Sequence, residues 1–129
     1  MHRFVTSMCL AAFAVVACGG GTSGSVATAN VAALNASGVS GTATISDVAG
    51  GKLSVAVTVS DGGNPDMPSH LHSGTCDAVG DVVYPLSNVK GGTSTTEVTA
   101  TAAEVKELIV VVHKSAEEIA VYTACGPVN

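Results

Sequence analysis

The chain has 129 residues, of which 47% are hydrophobic, 12% charged and only 3% aromatic, with a formal net charge of −5. Nucleic-acid binding needs a basic patch or a set of stacking aromatics; neither can be assembled from this composition, so a nucleic-acid partner is excluded. Valine, threonine, glycine and alanine dominate and tryptophan is absent, the composition of a small all-β domain.

The chain opens with a short polar and basic start at His2 and Arg3, followed by a mostly apolar run over residues 4–17. That run is a secretory signal, too short to span a bilayer as a stable helix, and residues 1–17 are set apart from the fold. Val15-Val16-Ala17-Cys18 resembles a bacterial lipobox, which predicts that Cys18 becomes the lipid-bearing first residue of the mature chain. Ordinary cleavage after Ala17 is the alternative. Residues 18–30 are expected to form the lipidated cysteine and a flexible tether, since 19–25 are mostly glycine, serine and threonine. Lipid at Cys18 would hold the domain to a membrane surface of the cell envelope. Removing the signal takes Arg3 with it and leaves four lysines against ten carboxylates. The mature domain is therefore acidic, at about −6.

Residues 31–129 are expected to form one compact domain. Residues 39–45 alternate as a strand, residues 47–51 turn the chain, and 52–59 alternate again as its hairpin partner. Residues 61–66 read as a loop, and Pro68 interrupts the ladder just before a histidine-bearing strand. A short strand is expected over 81–85, a glycine turn at 90–92, and a β-prone stretch over 93–101. Residues 102–107 suit a single helical turn, 108–113 a buried strand, and 121–125 a closing strand. Short strands separated by glycine-rich turns favour a β-sandwich or closed barrel over an α/β fold.

Chemistry concentrates in three places. His70-Leu71-His72 puts two imidazoles on one face of a strand, roughly 7 Å apart along the chain. His113 ends the buried run Val110-Val111-Val112, and a facing strand that supplied it would complete a three-imidazole cluster suited to copper or zinc. Cys76 and Cys125 remain as an even pair in an exported chain, and read as a disulfide rather than as part of a cysteine-histidine metal site. Asp61, Asp66 and Asp77 match no calcium loop.

Taken together, His70-Leu71-His72, Gly74 and Cys76, then Val111-Val112-His113-Lys114-Ser115-Ala116-Glu117-Glu118 and Ala124-Cys125-Gly126, resemble copper-zinc superoxide dismutase over most of the mature domain. The resemblance implies a Greek-key β-barrel, with His70, His72 and His113 as copper ligands and Cys76–Cys125 as the intradomain bridge. It also marks departures. No histidine lies between His72 and His113, so the family's bridging imidazole and zinc site are missing. Tyr122 stands near the position of the arginine that guides superoxide in that family.

The sequence therefore predicts an envelope-anchored lipoprotein domain that holds one copper ion, for storage, buffering or transfer to a copper-handling protein. The alternatives are a copper-only dismutase of reduced efficiency and a metal-free structural or interaction module. Zinc on three histidines and a water would suit hydrolysis, but no residue is evidently placed as a proton shuttle. Acceptors for the outer ring N–H groups are sought among Asp66, Asp77, Glu117 and backbone carbonyls.

Overall fold

The computed structural model describes residues 24–129. The signal segment, Cys18 and the first part of the tether lie outside the described residues. Eight strands and one helical turn follow: β1 (Ser25–Ala33), β2 (Gly41–Val48), β3 (Lys52–Val59), β4 (Asp66–Thr75), β5 (Ala78–Lys90), β6 (Thr93–Val98), α1 (Ala102–Val105), β7 (Ile109–His113) and β8 (Tyr122–Pro127). The strands close into an antiparallel barrel in the order β1-β2-β3-β6-β5-β4-β7-β8, with Greek-key crossings between β3 and β4 and between β6 and β7.

Strict alternation builds the core. Along β2 and β3, Ala43, Ile45, Leu53, Val55 and Val57 all point inward and are buried, while their neighbours turn toward solvent. The inner layer is completed by Met67, Leu71, Val89, Val110 and Val112. No tryptophan or phenylalanine is needed, because the barrel is narrow enough for branched aliphatics to fill. The helical turn closes on a capping box, Thr101 Oγ1 accepting from the Glu104 backbone and the Glu104 carboxylate accepting from the Thr101 backbone.

Several boundaries differ from expectation. The folded domain begins at Ser25, not Val31, because Ala27, Ala29 and Val31 alternate inward and pack against the core. Residues 25–30, expected to belong to the tether, are part of β1 instead. β5 is thirteen residues long, not five, and bends past Gly80 and Pro85 through irregularities in its pairing with β4. At Pro68 the β4–β5 register shifts between Met67 and Ser69, so the missing N–H falls where the ladder is already broken. β6 stops at Val98, where the chain turns away from β3 toward the helix.

A smaller apolar cluster lies outside the barrel. Ile109, Val111 and Cys125 face outward from β7 and β8, and Leu34, Cys76, Val79 and Tyr122 pack over them. The β4–β5 hairpin folds across this face and is joined to β8 by Cys76–Cys125, with the two Cα atoms 5.8 Å apart. This outer layer supports the histidines.

Candidate metal centre

His70 and His72 flank Leu71 on β4. Leu71 is fully buried in the barrel core, so alternation sends both imidazoles to the outer face. There β7 lies alongside, with Val111 opposite His70 and Ile109 opposite His72. His113, two residues beyond Val111 on the same face, is diagonal to His70 and within reach. A register shift between Val112 and His113 in the β7–β8 pairing coincides with the turn of this side chain toward the cluster.

The sequence thus placed its three histidines correctly on one surface. Their ligating nitrogens all lie within 4.8 Å of one another, and no other such group of three or more metal-binding side chains occurs among the described residues. His70 Nδ1 is 2.9 Å from His113 Nε2, and His72 Nε2 is 3.4 Å from His113 Nε2. His72 and His113 are buried, whereas His70 is half-buried.

The far side of each ring determines its tautomer. His72 Nδ1 lies 3.0 Å from the Gly80 carbonyl, and His113 Nδ1 lies 2.5 Å from the Ile119 carbonyl. A carbonyl oxygen can only accept, so each Nδ1 carries the hydrogen and each Nε2 presents a lone pair. The cluster interior therefore holds two acceptors with fixed lone pairs, and His70 can offer one proton to only one of them. A cation that accepts all three lone pairs resolves this conflict, so the donor set fits a nitrogen-preferring transition metal.

Electrostatics favour the ligating, neutral state. Burial pushes the His70 imidazole below its ordinary value, and His113 and His72 nearby push it the same way. Burial also lowers His113; its bond to the Ile119 carbonyl opposes the shift, and His72 adds to it. Protonating the cluster would place like charges side by side in a partly dry site.

The outer acceptors are backbone carbonyls, not the carboxylates considered from sequence. Asp66 accepts from the Asn88 amide instead, and neither Asp77 nor Glu117 hydrogen-bonds a histidine. The carbonyl of Gly80 is available because β5 passes very close to β4: a Cβ on Gly80 would lie 2.4 Å from Ser73 Oγ and 2.9 Å from the Ser73 carbonyl. A glycine inside a β-prone run was the available sign of that close approach. Ile119 belongs to the 114–121 connection, which a Lys114–Glu118 ion pair and a Lys114 backbone bond to the Val121 carbonyl fold back on itself. Nothing in the sequence marked it. Tyr122 packs edge-to-face on His113, with ring centroids 5.2 Å apart. It holds the ring in place where the dismutase pattern has a guiding cation.

No family model matches the chain, and no curated protein matches it. Solved structures do. One variant of superoxide dismutase 5 from Candida albicans aligns with a TM-score of 0.59 at 16% identity, covering 80% of this chain and 89% of the other. The copper(II) form of the same enzyme aligns with a TM-score of 0.53 at 18% identity, covering 79% and 89%. The chain has the superoxide dismutase fold, as its motifs implied, at a divergence that leaves function to be argued from the site.

Proposed function

We propose that this domain is a copper-binding module which holds one ion through His70 Nδ1, His72 Nε2 and His113 Nε2, on an envelope lipoprotein tethered by lipid at Cys18. The observation that carries the reading is the pair of backbone carbonyls that turn the His72 and His113 lone pairs toward one point. Three imidazoles accommodate either oxidation state of copper, and copper bound there would supply one-electron redox chemistry. Zinc fits the same donor types and is the competing ion. Storage, buffering or transfer to a copper-handling protein follows from a site that binds the ion while leaving one ligand half-exposed. Lipidation is tested apart from the metal: Cys18→Ser should move the protein from the membrane to the soluble fraction.

A second reading has one observation in its favour, since the solved structures that share the fold are superoxide dismutases, one of them with copper(II). It is a copper-only dismutase. The absence of any histidine between His72 and His113, and Tyr122 in place of the guiding cation, argue for slow turnover at best.

Reconstitution decides among these. The tag-free mature domain and a His70→Ala/His72→Ala variant are loaded with Cu(I), Cu(II) or Zn(II), dialysed and counted by mass spectrometry. One copper per chain, lost in the variant and accompanied by negligible superoxide removal, supports the binding module. Fast superoxide removal by the same copper form would select the enzyme. Zinc retained in preference to copper, or no stoichiometric metal, would overturn both copper readings.

A further inference from the structure

The three histidines are not equivalent. His72 and His113 are buried, and each is fixed by a backbone carbonyl on its outer nitrogen. His70 is half-buried, and among the described residues its Nε2 has no protein acceptor. Among the described residues, its polar contact is inward, to His113. On the side away from β7, His70 lies beside Pro85 of β5, which is exposed. The cluster is thus closed and pinned on the His72–His113 side and open on the His70 side. A ring without an outer acceptor keeps its χ freedom and loses little when it leaves the site.

Building on the copper-binding reading, we propose that His70 is the exchangeable ligand, through whose release copper enters and leaves, while His72 and His113 form the retaining pair. In the exchange the bond to His70 Nδ1 breaks as a bond to one incoming donor forms, and the oxidation state of the ion does not change. The incoming partner is a donor that approaches past the exposed ring of Pro85: a thioether or thiolate side chain of a copper-handling protein, or a small soft chelator. The acidic charge of the domain raises the local concentration of cations in general, but it does not select the route. The route is set by which ring is free to move.

The test compares His70→Ala, His72→Ala and His113→Ala in the disulfide-bonded mature domain. Three quantities are read: Cu(I) affinity by competition with a chromogenic chelator, the rate of Cu(I) transfer to that chelator by stopped flow, and copper coordination number by X-ray absorption. The expected result is that His70→Ala still binds one Cu(I), now with two nitrogen neighbours, and transfers it faster than wild type at a rate that rises with chelator concentration. His72→Ala and His113→Ala should weaken Cu(I) binding about 10- to 100-fold more than His70→Ala, since each also discards a ring oriented by a backbone acceptor. Equal losses in all three variants, or retention by His113→Ala with loss in His70→Ala, would overturn the proposal. Failure of the wild-type domain to bind copper at all would instead remove the reading on which it rests. Circular dichroism of each metal-free variant separates loss of a ligand from loss of the fold.

Discussion

At the scale of single residues, the site is a balance between desolvation and lone-pair supply. His70 and His113 are both held below their ordinary pKa of 6.5, with burial the leading cause in each. The unfolded chain therefore takes up protons first as pH falls, so these two groups contribute stability above about 6.5 that is lost on acidification through their folded values. The metal-free domain should unfold at lower urea concentration at pH about 5.5 than at about 7.5, a range in which ordinary carboxylates scarcely titrate. A His70→Ala/His113→Ala variant should flatten that dependence. A midpoint that rises on acidification would contradict the assignment of buried neutral imidazoles. Gly80 offers a second check on the same site. A methyl group there meets Ser73 at 2.4 Å, so Gly80→Ala must push β5 off β4 and carry the carbonyl away from His72. We expect a loss of about 1–3 kcal/mol in stability from overpacking. Copper affinity should fall about 10- to 100-fold through the lost acceptor. An unchanged affinity would show that the carbonyl does not orient His72.

Among the elements, the β4–β5 hairpin supports the site mechanically. It carries His70 and His72 on one arm and the Gly80 carbonyl on the other, and Cys76–Cys125 clips its tip to β8. The bridge closes 49 residues of chain, which corresponds to about 4 kcal/mol of stabilisation through the unfolded state. Cys76→Ser/Cys125→Ser should lower stability by roughly that amount in urea unfolding, and a change below about 1 kcal/mol would mean that the outer layer holds without the staple. This hairpin also shows how far the sequence could be read. The histidine pair, Pro68 and the cysteines all declared themselves, because each has a side-chain chemistry tied to one position. β2, β3 and β7 were legible from alternating or continuous branched residues. β1 was not, since Ala27 and Ala29 bury little apolar surface and the serine and threonine around them resemble a linker. The full length of β5 is not legible because Gly80 and Pro85 are punctuation in most strands, whereas here they accommodate bends in a long one. The carbonyls that orient the site lie on residues whose side chains say nothing about them.

For the molecule as a whole, the fold supplies a rigid wall and leaves the chemistry on its outside. The barrel interior is filled with aliphatic side chains, and the three imidazoles sit on the outer surface of β4 and β7 under a layer stapled by one disulfide. No helix of the described residues is long and apolar enough to cross a membrane. The superoxide dismutase fold is retained around a single cluster of three histidines, with nothing corresponding to a second metal site among the described residues. The central claim is that one copper ion engages His70 through Nδ1 and His72 and His113 through Nε2. Long-range proton–nitrogen NMR of the histidine rings, recorded on the metal-free and Cu(I)-loaded domain, tests it most directly. Nδ1–H tautomers are expected for His72 and His113 in both states, with copper shifting their Nε2 and the Nδ1 of His70. An Nε2–H tautomer at His72 or His113, or ring nitrogens indifferent to one equivalent of Cu(I), would contradict it.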